Sequence, residues 1–101
     1  MVTSFPSRTV TNTAVSVGVG NTAVLAANNS RVGAIFINDS DTVIYLALGA
    51  TAALNSGIRL NASGGSYTMD LQHLYTGAIS AISSGATKNL CVVDIRQNQA
   101  I

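Results

Sequence analysis

The stretch Arg31-Val32-Gly33-Ala34-Ile35-Phe36-Ile37-Asn38, followed after Asp39-Ser40-Asp41-Thr42 by Val43-Ile44-Tyr45-Leu46-Ala47-Leu48, decides the fold class. Both runs are rich in β-branched and aromatic residues, and a polar cluster separates them, so they read as two strands joined by the turn Asn38-Asp39-Ser40-Asp41. Side chains alternate across a strand, which places Val32, Ala34 and Phe36 on one face and Ile35 and Ile37 on the other. In the second strand Val43, Tyr45 and Ala47 share a face, and Ile44, Leu46 and Leu48 share the opposite one. The expected hairpin is therefore apolar on both sides. A chain of 101 residues supports one modest core, which covers a single face of each strand. Something else must cover the second face: a neighbouring subunit is a good candidate, and the chain's own second sheet or a short loop is the alternative.

The same pattern of short runs and turn signals continues in both directions. Upstream, Ala14 to Val19 alternates, with the valines on one face, and Gly20-Asn21 leads to a strand over Thr22 to Ala27. Downstream, Ile58 to Leu60, Ser66 to Leu71, Gly77 to Ser83 and Lys88 to Arg96 read as strands. The Asn61-to-Gly65 and Ser84-to-Thr87 segments lie between them. In the last strand Cys91, Val93 and Ile95 share one face, and Asp94 and Arg96 the other. No segment sustains a 3.6-residue apolar period. The expectation is an all-β chain: a single β-sandwich, jelly-roll-like, of about eight short antiparallel strands. Residues 1–12, with Phe5-Pro6, are expected to form an extended N-terminal arm, residues 13–96 the sandwich, and residues 97–101 a tail.

Composition narrows the function. Charged residues make up 9% of the chain, against roughly 25% in ordinary soluble domains, and glutamate is absent. A surface so weakly charged has little protection against association, as expected of a chain buried in a larger assembly. The net charge of +1 is spread over Arg8, Arg31, Arg59, Lys88 and Arg96, with no basic run, so nucleic acid is not an expected partner. No apolar run approaches the length that spans a bilayer, and the first eight residues lack the pattern of a secretion signal. Cys91, the single cysteine, lies in the run Leu90-Cys91-Val92-Val93 and reads as a buried, inert thiol.

Chemical motifs are sparse. Gly18-Val19-Gly20-Asn21-Thr22-Ala23 fits the form of a dinucleotide-binding turn, but that turn needs a helix after it, and a strand is expected there. Asn38-Asp39-Ser40-Asp41 offers too few carboxylates for calcium and reads as a turn whose side chains bond their own backbone. His73, the only histidine, excludes a multi-histidine metal site within one chain. With Asp70 and a serine it permits a catalytic triad on paper, but no nucleophile elbow accompanies them. Sugar sites favour aromatic platforms, and only Tyr45, Tyr67 and Tyr75 are on offer. No catalytic residue, metal or cofactor is assigned, and the chain is read as non-enzymatic.

The order of phrases resembles a group of small bacteriophage virion proteins associated with head decoration or with the tail. It runs through Ala26-Ala27-Asn28-Asn29-Ser30-Arg31, the apolar strand ending in Asn38, Val43-Ile44-Tyr45 and Leu48-Gly49-Ala50-Thr51. Gly57-Ile58-Arg59-Leu60, Gly64-Gly65-Ser66-Tyr67 and Tyr75-Thr76-Gly77-Ala78-Ile79-Ser80-Ala81-Ile82 complete it. The resemblance covers residues 13–95 and implies a virion component: a capsid decoration or cement protein first, a tail, neck or fibre-attachment component second. A sugar-binding or cell-surface sandwich is the alternative outside the virion. The expected partners are the chain itself, as a trimer or other small ring, and the major capsid protein or another virion protein. Expected contact residues are Phe5 and Pro6 in the arm, with Ile35, Ile37, Ile44 and Leu46 on the strands. Which hairpin face is core stays open at this point.

Overall fold

The computed structural model describes residues 7–98. They form β1 (Arg8–Val17), β2 (Thr22–Leu25), β3 (Arg31–Asn38), β4 (Ile44–Leu48), β5 (Ile58–Leu60), β6 (Ser66–Met69), β7 (Ile79–Ser83) and β8 (Lys88–Gln97). A single 3-10 turn, Leu71–His73, is the only helical element among the described residues. Its N-cap is Asp70, whose carboxylate accepts from the backbone N–H groups of Gln72 and His73.

Two four-stranded antiparallel sheets result, sheet A in the order β1-β8-β3-β6 and sheet B in the order β2-β7-β4-β5. β1 lies beside β8, β3 beside β6, β2 beside β7 and β4 beside β5. The chain thus follows one long hairpin, folded at the β4–β5 connection and rolled into two layers, which is the jelly-roll solution to an eight-stranded sandwich. Every connection except β4–β5 passes from one sheet to the other.

That topology corrects the expected hairpin over residues 31–48: β3 belongs to sheet A and β4 to sheet B, and the two strands do not pair. The segment between them is an arch over the edge of the sandwich. Its key is Asn38, fully buried, whose Nδ2 donates to the carbonyls of Thr42 at 2.7 Å and Leu60 at 3.0 Å. The Ser40 hydroxyl donates to Asn38 Oδ1 at 2.6 Å. The 61–65 connection lies alongside, with Gly64 N–H donating to Asn38 O and Ser63 N–H to Ser40 O. Likewise β1 and β2, and β7 and β8, are consecutive in the chain but lie in different sheets.

The core lies between the sheets. Ala34, Phe36, Leu90 and Val92 enter it from sheet A, and Ile44, Leu46, Leu60 and Ile79 from sheet B. Phe36 stacks on Tyr67, with ring centroids 6.4 Å apart. Val15 and Val17 join the core, but Val19, expected on the same face, is 61% exposed in the connection after β1.

Residues 8–12, expected in the arm, form the first half of β1 and pair with β8 from Arg8↔Gln97 onward. Gln97, expected in the tail, ends β8. Phe5 and Pro6, the arm residues expected to make contacts, lie outside the described residues.

Candidate interaction surface

Burial divides the expected contact residues. Ile44 and Leu46 are fully buried between the sheets, so the contact role expected for them is corrected: they are core. Ile44 and Leu46 do share one face of β4, and that face turns inward. Ile35 and Ile37 point the other way, onto the outer face of sheet A, where Ile37 is 38% exposed.

Register assembles the rest of that face. Ile35 is paired with Val93 and Thr68, and Ile37 with Cys91 and Ser66. On the far side of β8, Val93 meets Asn12, Cys91 meets Ala14 and Ile95 meets Val10. The centre of the face is thus aliphatic along β3 and β8, with Ser66 and Thr68 on one flank and Val10, Asn12 and Ala14 on the other. A contiguous, partly exposed apolar strip of this kind is a feature of protein contact surfaces. At one end a depression of about 400 Å³ is lined by Arg8, Val32, Gly33, Leu71 and Ile95, among others. Leu71 there is 65% exposed.

Cys91 sits on this face and is partly exposed, not buried as its apolar neighbours suggested. The inversion has a cause in β8. Its inner side carries Leu90, Val92 and then Asp94, and Asp94 is acceptable inside because Arg31 meets it there. Arg31 is 1% exposed, and its Nε lies 3.1 Å from Asp94 Oδ1. The rest of the guanidinium donates to the carbonyls of Tyr75 and Gly77 at 3.0 Å and of Ala26 at 2.7 Å. One buried cation therefore ties β8 to the connections before β3 and before β7, a role that Arg31 did not disclose as one of five scattered bases. The signal was an aspartate in phase with Leu90 and Val92, which requires a buried partner.

Sheet B is finished differently. On its outer face Tyr45 and Ile82 pack against Ala52, which the β4–β5 connection lays over them. The Tyr45 hydroxyl donates to Asn55 Oδ1 at 3.0 Å, and Ala52 N–H donates to Asn21 Oδ1 at 2.7 Å.

The motifs weighed for chemistry resolve into structural roles. Gly18-to-Ala23 leads into strand β2, not a helix, and Gly18 N–H donates to Thr22 Oγ1. Asp41 in the arch pairs with Lys88 Nζ at 2.6 Å. Hydrogen bonds from Lys88 and Thr42 and the lysine's charge hold its carboxyl below the usual value. Asp70 also titrates below its usual value: desolvation, which would raise it, is outweighed by hydrogen bonds from the His73 ring and from the backbone of His73 and Gln72. Both side chains of that pair are largely exposed, and the His73 ring bonds to Asp70 and to no serine among the described residues. No cluster of metal-ligating side chains occurs among the described residues. Of the tyrosines, Tyr67 is engaged with Phe36 and Tyr45 with Ala52. Tyr75 borders a second depression of about 420 Å³ with Asn21, Gly49, Thr51 and Ser80, where Asn21 Oδ1 is already engaged by Ala52. No helix among the described residues is long and apolar enough to cross a membrane.

A scan against protein-family models and searches of curated proteins and of solved structures returned no match.

Proposed function

We propose that this protein is a non-enzymatic structural component of a bacteriophage particle, in the first place a decoration or cement protein of the capsid shell, and that it binds through the outer face of sheet A. The observation that carries the reading is the partly exposed aliphatic strip of Ile35, Ile37, Val93 and Ile95, on a chain that covers Tyr45 and Ile82 on sheet B with its own loop. The virion assignment rests on the resemblance over residues 13–95, and the recurrence of jelly rolls in viral capsid domains is consistent with it.

The mechanism is passive. A large aliphatic side chain contributes at most about 1.5–3 kcal/mol when wholly covered. These residues are already partly covered, and association itself costs several kcal/mol. The strip is therefore suited to a contact reinforced by repetition around a shell, where many copies each add a modest increment. Bridging neighbouring shell subunits in this way would oppose expansion under internal pressure.

The test is to label purified particles with an antibody to this chain, and to measure how the double variant Ile35→Asp/Ile37→Asp binds particles that lack the protein. Label on the shell and loss of variant binding are expected. Label confined to the tail would move the protein to the second virion role. Unlabelled particles, or undiminished variant binding, would contradict the proposal.

A further inference from the structure

The four edge strands of the sandwich are unequal. β5 has three residues, β6 has four, and β2 has four with a register shift between Ala23 and Leu25. Shortness and irregularity are ways in which sheet edges avoid pairing with other chains. β1 has neither. It is ten residues long, keeps an unbroken register with β8, contains no proline, and carries one charged residue, Arg8, at its very start. No described strand borders its other side.

The direction of its free backbone groups follows from two hydrogen bonds. Asn98 N–H donates to Ser7 O, and Gln97 N–H donates to Ser30 O ahead of β3. Even-numbered residues of β8 therefore bond toward β1, and their partners in β1 are odd-numbered. The N–H and C=O groups of Arg8, Val10, Asn12, Ala14 and Ser16 all point to the open edge. Residues 8–14 are exposed on both faces. Arg8-Thr9-Val10-Thr11-Asn12-Thr13 thus combines high strand propensity with almost no burial to reward it.

We propose that the β1 edge pairs with β1 of a second copy of this chain, antiparallel across a two-fold axis at Asn12. The occupant follows from self-complementarity. Only even residues offer free groups, so even must pair with even, and centring on Asn12 engages all of them: Val10 with Ala14, Arg8 with Ser16, Asn12 with itself. Arg8 meets a serine, so no like charges face each other. Residues of equal parity share a face, so the two sheets A join into one continuous sheet. Their outer strips then lie on the same side, and the platform of the proposed contact surface is doubled. The association is two-fold, in place of the ring expected from the sequence, and it does not depend on the virion reading.

The test is sedimentation and native mass spectrometry of the full chain and its edge variants. Wild type is expected at twice the 10.3 kDa chain mass. Asn12→Pro removes an N–H that faces the edge and none that bonds β8, and should weaken the dimer by roughly tenfold or more. Asn12→Lys sets two like charges against each other at the axis and should be monomeric; mixing it with Asn12→Asp should restore a mixed dimer, which fixes the register. A wild type that stays a single chain up to millimolar concentration would overturn the proposal. So would a dimer indifferent to both Asn12→Lys and Asn12→Asp, or one lost only in Ile35→Asp/Ile37→Asp. In that last case the strip, not the edge, joins the copies. A dimer that survives Ile35→Asp/Ile37→Asp while particle binding is lost separates the two proposals and supports both.

Discussion

On the outer face of sheet B, Tyr45 and Ile82 are each only 8% exposed, because the β4–β5 connection places Ala52 against them; on sheet A, Ile37 is 38% exposed, with no comparable loop over it among the described residues. The strip on sheet A is aliphatic, and that on sheet B combines Ile82 with Tyr45, residues of similar strand propensity. The difference lies in the chain left over to cover them. Among the described residues the β4–β5 connection is the only one that stays on its own sheet, and it folds back over that sheet's outer face. The other connections are spent as arches between sheets. Among the described residues the strip on sheet A has no loop of that kind over it, which is why that face is the one proposed for contact.

The comparison is broken most severely at the ion pair that lets β8 hold an apolar outer side. Asp94→Ala, leaving the Arg31 cation buried and unpaired, should cost about 3–5 kcal/mol of stability by urea unfolding. Arg31→Leu, which strands the carbonyls of Ala26, Tyr75 and Gly77, should cost a similar amount. The next effect separates the two faces. Ile82→Ala on the covered face should destabilise the isolated chain by about 2–3 kcal/mol, whereas Ile37→Thr on the uncovered face should cost under about 1 kcal/mol. Equal losses would mean that both faces are core.

The smallest effect lies in the arch. Asp41 titrates below its ordinary value of 3.8 in the folded chain, so its contribution is fully present above that value. It is lost as pH falls through the lower folded value. A melting-temperature profile across acid pH should therefore show a slightly steeper decline for wild type than for Asp41→Asn, and less difference at high salt.

Sequence pattern carried the fold class a long way, since each strand except β1 begins or ends within a few residues of its turn signals. Partners were not legible. Alternation says which residues share a face and nothing about the neighbouring strand, so Asn38-to-Asp41 read as a hairpin turn when it is an arch locked by Asn38. The choice of inner face was also hidden. With Ile35 and Ile37 behind Ala34 and Phe36, and Cys91, Val93 and Ile95 behind Leu90 and Val92, either side could have been core. Asp94 was misleading, because a charge on a strand suggests the solvent side, and only the buried Arg31 reverses that inference. Ile44 and Leu46 were assigned to contact for the same reason, that both sides of β4 are apolar. The length of β1 was missed because a run of threonines with no apolar alternation carries no burial signal.

Cys91 gives the most direct test of the account, because it is the only thiol in the chain and sits at one end of the sheet A strip, opposite Ile37. The rate at which a small maleimide modifies Cys91 should be measured on the isolated chain and on the chain in the phage particle proposed for it. The account predicts ready modification of the isolated chain and strong protection in the particle; equal rates in both would show that the outer face of sheet A stays open and would contradict it.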